Sequence, residues 1–287
     1  MSTVQWLLAG GIALAMLYTG LLVNPAWLTR GFLRGKLRPF ASMAALNYLA
    51  VPVFALGMTW LLPIDPTLAL TLLTLAALPC APLVPALVTM AGEAPDWPLF
   101  VFLGFSLVSL LVVIALIAAL ANATPYAANI GTDTASKLLQ YFLLVYGPMT
   151  VGALFRFLAP SAGERLIRPV RALTGIGMLL ILGVFATAHR DEFANVSAGD
   201  LVMLFGFVLG CVALGALLKP GADRPRLTAI ISTCFRNVAL AIAFATVVLR
   251  RPDVTAYMVV YSALTLFVCG AVLGLCKLTA ARRAAPG

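Results

Sequence analysis

Long apolar stretches make up most of the chain, separated by short gaps rich in Gly, Pro and charged residues. A helix that spans a bilayer needs about 20 mostly apolar residues. Nine stretches qualify: Val4–Val23, Phe40–Leu62, Pro66–Ala91, Trp97–Asn122, Lys137–Leu158, Ile167–Ala188, Leu201–Leu218, Leu227–Leu249 and Val254–Leu278. The gaps are too short for an extramembrane domain. The pattern predicts an all-α polytopic membrane protein of nine transmembrane helices, one unit over residues 1–287. The first stretch lacks a basic leader and a cleavage site, so it reads as a retained span.

Two of the nine stretches are interrupted. The third reads LALPCAPLVPALV, with Pro79, Pro82 and Pro85 three residues apart. Each proline lacks an N–H and clashes with the carbonyl four residues back. In lipid, freed carbonyls are tolerated only where protein or water satisfies them. These three prolines therefore predict an unwound segment lining a cavity. The eighth stretch holds Ser232-Thr233-Cys234-Phe235-Arg236-Asn237. Ser, Thr and Asn are good N-caps, so a new half-helix can start near Asn237. The two stretches are five spans apart, which gives them opposite directions through the membrane. Interrupted helices at matching places are the pattern of an inverted repeat with a midplane site between them.

Arg236 sharpens that expectation. A charge at the centre of a span costs about 2.5–3.5 kcal/mol even on the lenient insertion scale. All ten acidic residues lie at or near the ends of apolar segments. Either backbone carbonyls and water satisfy Arg236, or an anionic substrate does. The planar guanidinium fork suits carboxylate, phosphate or sulfonate oxygens. The candidate substrate-binding residues are Arg236 as anion anchor, Asn237 as cap and hydrogen-bonding partner, Ser232 and Thr233 as polar lining, and Pro82 on the opposing backbone. Asn47 and Tyr48, inside the second span, can line the same cavity, or serve packing or an interhelical hydrogen bond.

Composition agrees with the membrane reading. The 287 residues are 62% hydrophobic and 10% charged, against about 25% charged in an ordinary soluble domain. The net charge of +9 is explained by where the cations sit rather than by nucleic acid. With the N-terminus outside, the inner loops hold 14 Lys and Arg and the outer loops four (Lys137, Arg190, Arg250, Arg251). That bias predicts a multi-pass plasma or inner membrane protein with its N-terminus out and its C-terminus cytoplasmic. The basic inner loops are expected to meet anionic lipid headgroups. The five cysteines show no metal-ligand spacing and no disulfide framework. No His, Asp or Glu lies at mid-depth, which argues against an intramembrane enzyme. It also leaves no residue for proton coupling, so facilitated or exchange transport is expected. A channel usually builds its pore from symmetry or several polar residues; one charge within an inverted repeat fits alternating access better.

Three segments resemble the bile acid:sodium symporter family, within the wider bile/arsenite transporter superfamily. They are ALAMLYTGLLVNPAWLTRGFLRGKLRP (Ala13–Pro39), ALPCAPLVPALVTMAGEAPDWPL (Ala77–Leu99) and TAIISTCFRNVALAIAFATVVLRRPDVTAYMVVYSAL (Thr228–Leu264). The resemblance implies a ten-helix inverted-repeat fold with two crossing discontinuous helices, here lacking the first helix. A panel part (about 4–23 and 137–188) would move against a core part (about 40–122 and 201–278). It implies uptake of a small organic anion, typically with sodium, and polar substrate contacts from the last helix, for which Thr265 is the candidate.

The family's sodium ligands look absent. Its Ser-Asn pair falls on Val84 and Pro85, its second-break Glu on Ser232, and a position that tends to be Gln in sodium-binding members on Arg236. A fixed charge at Arg236 would replace a bound sodium as the local cation, so no cofactor is expected. Cys80 raises an alternative, since arsenite efflux relatives place a thiol near this point and thiolates bind soft metalloids. Those relatives also place a Glu where Val238 and Ala239 stand here, and a buried Cys is most often a small hydrophobe. His189 is expected to be solvated, and Asn195-Val196-Ser197 matches a glycosylation sequon.

Overall fold

A computed structural model describes residues 3–24, 30–121, 132–188, 196–218 and 226–284. His189 and Asn195 lie outside the described residues, as do the loop cations Arg190, Lys219 and Arg224. Among the described residues every regular element is helical. In chain order the helices are α1 (Thr3–Leu21), α2 (Arg30–Ala45), α3 (Val51–Leu61), α4 (Pro66–Ala77), α5 (Val84–Met90), α6 (Asp96–Ala121), α7 (Thr132–Leu158), α8 (Pro160–Ala188), α9 (Ala198–Leu217), α10 (Arg226–Cys234), α11 (Val238–Ala243) and α12 (Thr255–Ala284). A π-helical turn at Leu46–Ala50 joins α2 to α3, and another at Phe244–Val248 extends α11.

Local chemistry sets several boundaries. The Asp65 carboxylate accepts from the backbone N–H of Thr67 at 2.7 Å and of Leu68 at 3.3 Å, and Pro66 opens α4. That is a cap followed by the proline whose missing N–H is not needed there. The Ser197 hydroxyl accepts from the backbone N–H of Asp200 at 3.1 Å and starts α9. The sixth apolar stretch was expected to begin at Ile167. Its helix begins at Pro160 instead, so the basic residues Arg165, Arg168 and Arg171 extend the helix rather than form a loop.

Six helical segments among the described residues are long and apolar enough to cross a membrane: Gly35–Leu61, Asp96–Ala115, Leu139–Leu158, Ala198–Leu217, Arg226–Thr246 and Pro252–Cys276. Ala9–Leu21 and Pro66–Ala77 are shorter apolar helices. Large apolar side chains also face outward, including Trp60, Leu61, Leu107, Leu111, Leu143, Leu158, Val202 and Phe267. An apolar exterior of that extent suits lipid and not water.

The helices form two groups. In one, α1 packs along α7 and also against α8. The α1–α7 contact is close because glycines meet backbone. A Cβ on Gly20 would lie 2.1 Å from the Met149 carbonyl oxygen, and one on Gly152 would lie 2.5 Å from that of Leu17. Small residues let membrane helices approach this closely. In the other group, α9 packs on α10 and α12, and α10 packs on α5 and α6. An apolar cluster of Tyr18, Leu21, Ala86 and Val170, flanked by Met90 and Ile167, joins the groups where α5 meets α1 and α8.

Candidate functional site at the crossing of two broken helices

The third apolar stretch is two helices, with Leu78–Leu83 unwound between α4 and α5. Pro79 and Pro82 lie in the unwound part. Pro85 lies in the first turn of α5, where a proline sacrifices no intrahelical bond. Cys80 has a φ of +56°, a left-handed conformation that costs a residue with a side chain about 1–3 kcal/mol. The eighth stretch is likewise divided, with Phe235, Arg236 and Asn237 between α10 and α11. The two gaps satisfy each other. Ala81 N–H donates to the Phe235 carbonyl at 2.8 Å, and Asn237 N–H donates to the Leu78 carbonyl at 2.9 Å. Backbone freed by each interruption is thus partnered by the other, as a low-dielectric interior demands.

Arg236 sits at this crossing, 1% exposed. Its Nε donates to the Leu75 carbonyl at 3.0 Å. Nη1 donates to Asn47 Oδ1 at 2.7 Å and to the Thr233 carbonyl at 3.3 Å. Nη2 donates to the Asn47 carbonyl at 3.4 Å and to the Ala76 carbonyl. A guanidinium has five N–H groups, and here five oxygens receive them. Leu75 and Ala76 end α4, where carbonyls run short of intrahelical donors and carry the negative end of the helix dipole; Leu75 keeps one donor, the Leu78 N–H at 3.1 Å. No carboxylate among the described residues bonds to the guanidinium, so its charge is solvated but not neutralised.

The oxygens of this cage are themselves held. Asn47 lies in the π-helical turn, a helix defect often found at functional positions. Its Nδ2 donates to the Met43 carbonyl at 3.0 Å and to Thr233 Oγ1 at 3.2 Å. Thr233 Oγ1 donates to the Ala229 carbonyl at 2.7 Å, and Ser232 Oγ donates to the same carbonyl at 3.3 Å. Neighbouring Tyr48 bonds away from the crossing, to the Phe105 carbonyl at 3.1 Å and Ser109 Oγ at 2.9 Å.

A cavity of about 270 Å³ lies beside the crossing, between the α1/α7 layer and helices α11 and α12. Its wall is mainly apolar, with Ile12, Leu144, Phe235, Val238, Ile242 and Val259 contributing. Of the expected binding residues, Arg236, Asn237, Pro82 and Thr265 reach this wall. Asn47, Ser232 and Thr233 do not; they are fully buried behind it. The direct fork contact expected between Arg236 and an anion has no free N–H to make it.

The remaining polar groups of the wall are neutral. Asn237 Oδ1 caps α11 by accepting from Leu240 N–H at 3.2 Å, and it also accepts from the Tyr141 hydroxyl at 2.8 Å. The Asn237 bonds run through its backbone N–H, its carbonyl and Oδ1, which leaves the two Nδ2 hydrogens for the cavity. Thr265 Oγ1 is buried without a hydrogen bond, its near neighbour being the Tyr261 hydroxyl, which donates to the Cys234 carbonyl. Ser262 donates to the Met258 carbonyl at 2.9 Å. Tyr141, Tyr261 and Ser262 were not singled out as site residues from sequence. The available signal was weak: Tyr141 is one of two tyrosines in LLQYFLLVYG, a run whose one other polar side chain is Gln140.

Cys80 is buried, with its thiol 3.9 Å from the Ala81 carbonyl. Among the described residues no three His, Cys, Asp or Glu side chains are grouped to hold a metal ion.

Helices with an apolar exterior, two of them broken where they cross beside a small cavity, define a multi-pass membrane protein. The chain belongs to the sodium bile acid symporter family, whose family model matches residues 10–196. It is therefore a membrane transporter at the family level. The matched residues take in the first broken helix; Arg236 and the second break lie beyond them. Comparison with individual curated proteins gives no match.

Proposed function

We propose that this transporter carries a small organic anion by alternating access, without sodium, and that Arg236 is its resident cation. The observation that carries this reading is the cage of five oxygens without a carboxylate around the guanidinium. Carbonyl oxygens at the end of a half-helix are the kind of ligand a transporter offers a coupling cation. Here a tethered guanidinium fills that cage. Val84, Pro85 and Ser232, at the positions where the family's sodium ligands are expected, supply no free oxygen side chain. Val84 and Pro85 have none, and Ser232 spends its hydroxyl on Ala229.

The anion's acceptor oxygens meet neutral donors, Asn237 Nδ2 and Thr265 Oγ1, while the charge of Arg236 attracts them from one layer behind. At an effective dielectric of about 20, two unit charges about 8 Å apart still attract by about 2 kcal/mol, so direct contact is not required. The apolar wall takes the rest of the molecule. At about 270 Å³ the cavity falls just under the range of roughly 300–1,000 Å³ typical of drug-sized ligands, which favours a compact substrate. Movement of α1, α7 and α8 against the crossing bundle would expose the cavity to each side in turn.

The test is thermal unfolding of the purified full chain with a panel of small carboxylates and sulfonates, each in sodium chloride and in potassium chloride. The expected result is equal stabilisation by an anion in both salts, lost in Arg236→Gln in potassium and partly regained there in sodium. Stabilisation of the parent protein in sodium alone overturns the reading. So does an Arg236→Gln protein that keeps full anion stabilisation with no cation dependence.

A further inference from the structure

We propose that the hydrogen bond from the Tyr141 hydroxyl to Asn237 Oδ1 is the latch that holds the empty transporter closed, which makes Tyr141 the residue through which cavity occupancy governs helix movement. The proposal rests on the alternating-access reading above.

Among the described residues, three polar contacts tie the α1/α7/α8 layer to the broken helices. Arg171 Nη2 donates to the Met90 carbonyl at 2.9 Å, where α5 ends. The Tyr18 hydroxyl lies 3.4 Å from Thr89 Oγ1, a long contact to a hydroxyl that already donates to the Pro85 carbonyl at 2.7 Å. The third, Tyr141 to Asn237 at 2.8 Å, is short and part-buried, and of the three it alone opens onto the cavity.

Asn237 is where such a bond has most leverage. Its backbone N–H is held by Leu78, its side chain caps α11, and its neighbour is Arg236. A pull on Oδ1 is therefore felt by both broken helices. Sliding the layer away from the crossing would strand a phenolic O–H and half of the capping acceptor in an apolar wall. Leaving such groups unmade costs more than the bond contributes, so the empty protein resists the movement. An acceptor oxygen bound to Asn237 Nδ2 stands on the same amide, within reach of the same hydroxyl. If it is anionic, it makes the stronger bond and draws the hydroxyl off Oδ1. The cost of opening then falls only when the cavity is loaded, which is the requirement for coupled movement without a driving ion.

The experiment needs no ligand. Ala86 is fully buried between the two helix groups, so Ala86→Cys reports their separation. In a Cys276→Ser background, which removes the exposed native thiol, the full chain in phospholipid nanodiscs is labelled with a maleimide. Tyr141→Phe is expected to raise the labelling rate about tenfold over the Tyr141 protein. Thr150→Val, which removes a hydroxyl on α7 that bonds only within its own helix, is expected to leave the rate alone. An unchanged rate in Tyr141→Phe overturns the latch, as does an equal rise in Thr150→Val. If Tyr141→Phe does not melt cooperatively, Tyr141→Met replaces it under the same two criteria. Failure here leaves the anion reading standing, because that reading is decided by anion-dependent stabilisation.

Discussion

Arg236 and Asn47 are joined twice, guanidinium to side-chain amide at 2.7 Å and guanidinium to backbone carbonyl at 3.4 Å, although 189 positions separate them. The pairing makes Asn47 a handle on the charge of the site. Asn47→Asp would place a carboxylate against the guanidinium and neutralise it within the same cage. It would also give up the two bonds that Nδ2 donates, to Met43 and Thr233. The ion pair offsets part of that loss, so the variant is expected to fold. Its anion-dependent stabilisation is expected to disappear, because the field that attracts the anion is gone. Thermal unfolding with and without the anions that stabilise the parent protein checks this. Retained stabilisation would mean that Arg236 contributes nothing electrostatic to the cavity.

Removing the guanidinium has a different consequence. Arg236→Ala leaves the carbonyls of Ala76, Thr233 and Asn47 without their donor at the crossing, while Leu75 keeps the Leu78 N–H. Each buried acceptor left unsatisfied costs about 1–3 kcal/mol, less whatever water enters. A loss of at least about 3 kcal/mol is expected, read as a lower melting temperature and a lower yield of folded protein. Arg236→Lys is expected to fall between, since an ammonium offers three N–H groups from one point rather than five from a fork.

The α1–α7 contact gives a prediction about packing alone. Gly152→Val would drive its side chain into the backbone of α1 near Leu17 and Gly20. Backbone cannot turn aside as a flexible side chain can, so the helices must separate. The expected result is a loss of about 1–3 kcal/mol, in the range of overpacking. Gly147→Ala on the same helix meets nothing within 4 Å and is expected to be neutral. Melting temperatures of the two variants decide it.

Glu93, in the turn between α5 and α6, predicts a pH dependence. Its carboxylate accepts from Thr228 Oγ1 at 2.8 Å and from backbone at the start of α10, yet burial outweighs these bonds and pushes its pKa up to about 7. A carboxyl whose folded pKa lies above its unfolded value binds more protons folded than unfolded in the interval between them. Stability from this group is therefore full below the unfolded value, about 4.3 for Glu, and is lost as pH rises through about 7. Melting temperature is expected to fall across that window in the parent protein and to fall less in Glu93→Gln. Equal slopes would show that Glu93 does not titrate there.

Much of this architecture was legible in the residues, for reasons that are physical. Stretch length and apolarity predicted helices because a bilayer admits few alternatives. The break at Pro79 and Pro82 was legible because proline acts on its own backbone, and the one at Asn237 because capping is local. The partners of Arg236 were harder to see. They are mostly carbonyl oxygens, which every residue carries, so no side-chain pattern announces them. The polarity of Asn47 allowed either cavity lining or an interhelical hydrogen bond, and the register of a π-helical turn makes it the second, to the guanidinium. Tyr141 had no local signal for its role, because its partner is 96 positions away.

Thr265 separates stability from binding most cleanly. Thr265 lines the cavity, and its buried hydroxyl lies beside the Tyr261 hydroxyl without a well-formed hydrogen bond. Replacing such a group by an apolar one of similar shape removes an unmet polar atom, which is neutral or stabilising. Thr265→Val is therefore expected to leave the melting temperature of the empty protein unchanged or slightly raised. With an anion bound, the same hydroxyl is a donor to its acceptor oxygens, and a hydrogen bond to a charged group is worth about 1.5–3 kcal/mol. The variant is expected to bind that anion about tenfold or more weakly. The opposite signs are the diagnostic feature, because a hydroxyl retained for packing alone would not weaken binding when removed. Titrating the anion against the melting temperatures of both proteins measures the two effects together. An empty protein that is strongly destabilised, or an unchanged affinity, would remove Thr265 from the site.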